Sequence, residues 1–159
     1  MGWFDWLLGL HVLSALLMVG GTMVYWTILV AGWTVDRPSI AAAFLRVARP
    51  VDLLVPAASV VTLALGIWLA IYVERYEVWD PWILAAIALW IVYVLTGSRT
   101  GRVFARAGDR ARELVGRGED APSSELNALL RSREGLVFHT VSSAALLAIL
   151  VLMIWKPGA

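Results

Sequence analysis

The chain has 159 residues, of which 60% are hydrophobic and only 16% are charged. Soluble domains usually have about 45–50% apolar and about 25% charged residues, and the core of a soluble chain of this length cannot easily bury such an excess. The formal net charge of +1 argues against a nucleic-acid-binding surface. The sequence contains no cysteine, which excludes disulfides, thiolate metal sites and iron–sulfur clusters. The composition therefore predicts a small integral membrane protein that contacts the lipid bilayer and no nucleic acid.

Four apolar segments are long enough to cross a bilayer, which takes about 20 mostly apolar residues. They run over 6–32, 51–73, 79–97 and 136–155. We expect residues 1–159 to form a single all-α domain, an integral membrane four-helix bundle with short amphipathic cytoplasmic helices.

The segment that precedes the second span is predicted to form a helix of its own. Four of its apolar residues share one helical face, namely Ile40, Phe44, Val47 and Val51. This pattern indicates a short interfacial helix over 37–51, which Pro50 separates from the second span.

The arginine-rich segment 98–135 is predicted to hold two helices. Its first arginines recur every three or four residues, at Arg99, Arg102, Arg106 and Arg110. We expect the third span to continue into an amphipathic helix that ends near Gly116, and a second short helix around 126–130 to lead into the fourth span. Arg99, Arg102 and Arg106 precede every acidic residue of the segment, and we expect them to reach the lipid head groups.

The arginines also predict the orientation. Eleven of the 13 Lys and Arg residues lie in the first and third loops, which leaves Arg75 and Lys156 for the other face. Because cytoplasmic loops carry the excess of Lys and Arg, these two loops are expected in the cytoplasm. Both termini then lie on the opposite side of the membrane.

Each span carries one stripe of small or polar residues, and such stripes face inward in a membrane bundle. Four of these residues predict an inner polar site, His139, Asp52, Tyr93 and Tyr25. An Asp–His pair there could relay a proton or hold a ligand. The structural alternative is that Asp52 caps the N-terminus of its helix.

A second candidate site lies on the first span. His11 and Ser14 are expected beneath a rim from the outer segments, which comprises Trp79, Asp80, Trp82, Met153 and Trp155. His11 could bind copper or haem b, or it could simply donate a hydrogen bond to a backbone carbonyl. By its position in its span, His139 lies about 20 Å from His11 along the membrane normal. The two histidines are therefore not expected to ligate one haem.

The residues LHVLSALLMVGGTMVYW at 10–26 resemble the first span of small bacterial four-helix membrane proteins. Together with residues 52–70 and the terminal Lys156-Pro157-Gly158, they are most similar to a family of predicted integral membrane proteins of unknown function. More distantly, the first span is similar to CopD-like copper-resistance proteins and to HemJ-like protoporphyrinogen oxidases. In HemJ-like proteins the first-span histidine is implicated in haem binding, and this resemblance implies that role for His11.

The leading hypothesis is a non-enzymatic protein of the bacterial inner membrane that binds haem or a metal through His11, as a homo-oligomer or a subunit of a larger membrane assembly. One alternative is a HemJ-like membrane oxidoreductase. The other is a structural or assembly subunit without a cofactor.

Overall fold

The computed structural model describes residues 2–73 and 76–157, and within these ranges the chain is all-helical, with no strand. The helices are α1 (Trp3–Gly32), α2 (Pro38–Tyr72), α3 (Pro81–Gly116), α4 (Ser124–Leu130) and α5 (Arg133–Trp155). The expectation of an all-α fold is confirmed. Arg75, predicted on the side opposite the arginine-rich loops, and Gly158 of the terminal Lys156-Pro157-Gly158 lie outside the described residues.

The protein is a multi-pass membrane protein with four candidate spans in the described part of the chain, formed by α1, α2, α3 and the α4–α5 segment. The predicted spans 6–32, 51–73, 79–97 and 136–155 overlap these helices. α3 has 36 residues, which is about 54 Å of helix at about 1.5 Å per residue. Since the hydrocarbon core is about 30 Å thick, α2 and α3 both extend beyond it.

The extension of α2 differs from the prediction. α2 continues as one helix through Pro50 and Pro56, so the expectation of a separate interfacial helix over 37–51 is wrong. Of the predicted apolar face, Ile40 and Val47 are exposed and do not pack on the other helices. The residues that α2 buries here are instead Ala41, Ala42, Leu45 and Ala48. Their packing holds this segment in line with the span, and it outweighs the single helical hydrogen bond that a proline removes.

The extension of α3 follows the prediction. α3 runs without a break to Gly116, and the chain then reverses at Gly118, whose φ of 76° favours glycine. The short helix α4 begins after its N-cap Ser123, and α5 begins after its N-cap Ser132. Both serine hydroxyls accept a hydrogen bond from a first-turn N–H group, as expected for helix caps.

The four long helices pack around the bundle in the order α1, α2, α3, α5. α1 packs mainly on α2, and α3 packs mainly on α5, so α2 and α5 lie on a diagonal. We call the end with the loop 33–37 and the segment 117–132, which contains α4, the arginine-rich end. The opposite end, where Trp3 and Trp155 lie, is the terminal end. The largest buried cluster lies at the arginine-rich end, where α1, α2, α3 and α4 meet.

Candidate functional site

A cavity of about 380 Å³ lies between α2 and α3 in the half of the bundle nearer the arginine-rich end. Each long helix contributes one of the predicted inner-site residues to its wall, namely Tyr25 from α1, Asp52 from α2, Tyr93 from α3 and His139 from α5. The structure therefore brings all four of these side chains together. Most of the remaining wall is apolar, and the cavity opens to the surface between α2 and α3, where Pro56, Ser98 and Ala105 are exposed.

Tyr25 and Asp52 are joined directly, because the Tyr25 hydroxyl donates a hydrogen bond to the Asp52 carboxylate. The Tyr25 ring stacks on Phe104, with ring centroids 5.8 Å apart. Asp52 lies well inside α2, which begins at Pro38, so it does not cap a helix. The same two residues also line a smaller cavity of about 70 Å³ toward the arginine-rich end. The Tyr25–Asp52 pair thus lies between the two cavities.

His139 is 2% exposed and is fixed by α1. Its Nε2 atom lies 3.2 Å from the Thr22 carbonyl oxygen. Because a carbonyl only accepts, Nε2 carries the proton in the neutral ring and Nδ1 keeps a lone pair. The Trp26 ring packs on the imidazole in a T-shaped arrangement, with ring centroids 4.8 Å apart. The Trp26 indole N–H donates a hydrogen bond of 3.0 Å to the Ser143 hydroxyl. These contacts hold the imidazole in one orientation.

The serine and threonine hydroxyl groups in the cavity wall share one arrangement. Each donates its proton to a carbonyl oxygen of its own helix, at distances from 2.8 to 3.3 Å, and this holds for Thr22, Ser59, Ser98, Thr100 and Ser142. A hydroxyl that has donated its only proton keeps lone pairs and can then only accept. The polar part of the wall is therefore dominated by hydrogen-bond acceptors.

The small residues of α3 that leave room for the cavity were missed in the sequence. Gly97, Gly101 and Ala105 recur every fourth residue and all line the cavity. Residues four apart lie on one helical face, so this spacing was a usable signal, but the regular arginines of the same segment obscured it.

Of the three arginines predicted to reach head groups, only Arg102 lines the cavity. Its Nε donates to the Ser98 carbonyl oxygen at 3.3 Å. The Arg99 guanidinium lies over the Phe138 ring at 5.2 Å, and Arg106 donates back to the Arg102 carbonyl oxygen. All three side chains are exposed, and none forms an ion pair within the described residues.

His11 lies apart from this cavity, on the side of α1 that packs on α2. Its Nδ1 atom lies 3.0 Å from the Thr62 carbonyl oxygen, and Ser14 donates to the His11 carbonyl oxygen at 2.9 Å. The imidazole packs against Gly66, where an added Cβ would come within 3.0 Å of His11 Cε1. Two residues of the predicted rim, Trp82 and Met153, pack in a small hydrophobic cluster that also contains Ala70 and Tyr76.

The two histidines are well separated along the bundle. Thr22, which His139 contacts, lies 11 residues beyond His11 on α1, which is about 16 Å of helix at about 1.5 Å per residue. Residues 2–73 and 76–157 contain no group of three or more His, Asp or Glu side chains placed to hold a metal ion.

A family model described as "Predicted integral membrane protein (DUF2269)" matches residues 5–157. The match covers nearly the whole chain, and the chain belongs to this family. Among curated proteins and solved structures, none matches the chain.

Proposed function

We propose that this member of the DUF2269 family binds an amphipathic molecule of the membrane in the cavity between α2 and α3. The observation that carries the proposal is the convergence of Tyr25, Asp52, Tyr93 and His139, one from each long helix, on a single cavity. Ligand sites typically combine apolar walls with a few polar groups that fix orientation. Polar and ionisable residues within membrane spans are costly, so they point to function when they cluster around a cavity.

The position of the cavity favours a ligand that arrives from the lipid phase. Its opening lies between α2 and α3, beside a helix surface that faces lipid. Arg102 is part of its wall, and Tyr25 and Asp52 also line the smaller cavity together with Arg49. A molecule with a polar group and an apolar chain could place the polar group in the cavity and leave its chain along the groove between the helices.

Filling the cavity tests this proposal. Gly97 lines the cavity, and an added Cβ there meets nothing within 4 Å. We expect Gly97→Leu to fold and to lose an amphiphile that the wild type retains, as measured by native mass spectrometry of protein purified in mild detergent. Gly20→Leu is the matched control, because Gly20 is also a helix-interior glycine with open space, and it lies outside the cavity. Equal retention of the amphiphile by wild type and Gly97→Leu would contradict the proposal.

As a second candidate, we propose that His11 ligates haem. This is favoured by its hydrogen bond to Thr62, because a histidine that donates Nδ1–H to a carbonyl presents the Nε2 lone pair to a metal. The donor set favours haem over copper, since a haem brings four nitrogen ligands of its own and a copper site needs several protein ligands. We expect a Soret band in protein produced with haem supplied and its loss in His11→Ala. A band that survives in His11→Ala would contradict this candidate.

For the orientation, we propose that the arginine-rich end faces the cytoplasm, as the distribution of Lys and Arg indicates. The chain has no cysteine, so single-cysteine variants can be labelled without background. We expect a membrane-impermeant maleimide to label Glu77→Cys in intact cells and to label Ala121→Cys only after the membrane is opened. The reverse pattern would invert the orientation.

A further inference from the structure

We infer that the polar group bound in this cavity is zwitterionic, a primary ammonium together with a phosphate, as in a phospholipid head group with a terminal amine. This inference rests on the function proposed above and specifies the ligand of the same site. It follows from counting which hydrogen-bond donors and acceptors the cavity wall leaves free.

Apart from Tyr93 and Arg102, the polar side chains of the wall offer mainly acceptors. The hydroxyl groups of Thr22, Ser59, Thr100 and Ser142 donate their only protons to carbonyl oxygens of their own helices. Asp52 accepts from Tyr25 with one carboxylate oxygen, and its other oxygen has no partner within the described residues. The Nδ1 atom of His139 keeps its lone pair. A ligand that satisfies these atoms must bring N–H or O–H donors.

A proline adds one more acceptor at the same place. Pro56 lines the cavity and has no N–H group, so it cannot donate to the carbonyl of Asp52 four residues earlier. The main-chain carbonyl of Asp52 therefore lacks its usual helical donor and adds an acceptor to the carboxylate of the same residue. An ammonium group, with three donors and a positive charge, matches this combination.

The opposite charge comes from Arg102 on α3, which lines the same cavity and forms no ion pair within the described residues. Only its Nε is used, for the Ser98 carbonyl, which leaves its terminal nitrogens for an anion. A phosphate suits the planar guanidinium because it can accept two parallel hydrogen bonds. A head group with phosphate alone would face the Asp52 carboxylate without compensation, and an amine alone would leave Arg102 unpaired.

The decisive property is the number of N–H donors. A lipid with an ethanolamine head group and one with a choline head group carry the same charges, but the quaternary ammonium of choline has no N–H donor. We therefore expect delipidated wild-type protein, given equal amounts of the two lipids with identical acyl chains, to retain the ethanolamine lipid about tenfold or more over the choline lipid in native mass spectrometry. Equal retention of the two lipids would overturn the inference.

Two substitutions locate the selectivity. Asp52→Asn should bring the retention ratio close to one, whereas Asp80→Asn, at the terminal end, should keep the wild-type ratio. Arg102→Gln should weaken both lipids together, whereas Arg106→Gln, one turn further along α3 and outside the cavity, should not. Unchanged selectivity in Asp52→Asn would overturn the assignment of the ammonium to Asp52. The wild-type comparison of the two lipids needs no variant, so it stands even if a variant fails to fold.

Two further outcomes separate this inference from the function on which it rests. If both lipids are retained equally and both are lost in Gly97→Leu, the cavity binds an amphiphile and only the zwitterion inference fails. If the wild type retains no amphiphile, the proposed function fails first. Free phosphoethanolamine is the probe for a source other than lipid, and displacement of the ethanolamine lipid by it at equal concentration would overturn the lipid assignment.

Discussion

Most polar side chains within the spans are hydrogen-bonded to backbone carbonyls. His11 contacts the Thr62 carbonyl, His139 contacts the Thr22 carbonyl, and the Trp90 indole N–H donates to the Ser59 carbonyl at 3.1 Å. In the hydrocarbon core no water can satisfy a polar group, so a side-chain donor needs a partner within the protein, and a carbonyl on a neighbouring helix provides one. Each of these bonds fixes one helix against another.

The sequence indicated which of these residues belong together but not their partners. The helical spacing of each stripe grouped Tyr25, Asp52, Tyr93 and His139, and all four line one cavity. Their functional roles stay predictions. The partner carbonyls could not be found, because every residue has one and the sequence does not show which neighbour comes close. The structural alternative for Asp52, a helix cap, is wrong because α2 begins 14 residues earlier.

At the residue scale, Gly21 and Gly20 give a matched prediction. A Cβ at Gly21 would lie 2.0 Å from Val55 Cγ2, whereas a Cβ at Gly20 meets nothing within 4 Å. Valine is stiff at χ1 and cannot simply turn aside, so we expect Gly21→Ala to destabilise the α1–α2 contact by about 1–3 kcal/mol. Gly20→Ala should be neutral or slightly stabilising, because alanine favours helix more than glycine.

Thermal unfolding in detergent measures both Gly→Ala variants under the same conditions. A Gly21→Ala protein as stable as Gly20→Ala would show that the two helices do not approach as closely as the structure indicates.

At the level of the helices, the two continuous extensions of α2 and α3 had different sequence signals. The regular arginines of α3 and the glycines after it predicted its course and its end. Pro50 predicted a break in α2, and the structure has none. Packing of Ala41, Leu45 and Ala48 in the cluster at the arginine-rich end outweighed the local preference of proline for a break. This packing involves residues of other helices, so a short stretch of sequence does not reveal it.

The start of α2 is held by a residue far along the chain. The Asp120 carboxylate accepts a hydrogen bond of 2.8 Å from the backbone N–H of Ser39. This bond, then the Ser39 side chain and, to a smaller extent, the charge of Arg37 hold the pKa of Asp120 below its usual value. The bond satisfies one of the free N–H groups in the first turn of α2, and it ties the loop after α3 to the start of α2.

The lowered pKa of Asp120 predicts the pH dependence of stability. A carboxylate whose pKa is lower in the folded state stabilises the fold above its unfolded pKa, about 3.9, and this contribution is lost as the pH falls through the folded pKa. We therefore expect Asp120→Asn to unfold more easily than wild type at pH 7, and the difference to shrink as the pH falls below about 4. Unfolding measured from pH 7 to pH 3 gives this comparison.

The control for Asp120 is Glu119→Gln, since the Glu119 side chain forms no hydrogen bond or ion pair within the described residues. A difference between Asp120→Asn and wild type that stays constant down to pH 3 would contradict the assigned role of the Asp120 carboxylate.

For the whole molecule, the polar residues that line the cavity lie in the half of the bundle nearer the arginine-rich end. α1 and α5 have few contacts with each other, and those near Thr22, Trp26, His139 and Ser143 close the bundle beside the cavity. Composition and hydropathy were enough to predict four spans, because a bilayer demands apolar segments of fixed length. The packing order and the cavity were not predictable, because both depend on how small and large side chains of different helices fit together.

The central claim is that the cavity between α2 and α3 holds an amphipathic molecule of the membrane. The most direct test is photo-crosslinking with a phospholipid that carries a diazirine on its acyl chain, followed by mapping of the labelled residues by mass spectrometry. We predict labels concentrated beside the opening, at Pro56, Val94 and Ser98, and their loss in Gly97→Leu but not in Gly20→Leu. Labels spread evenly over lipid-facing residues such as Leu16 and Leu147, and unchanged in Gly97→Leu, would contradict the claim.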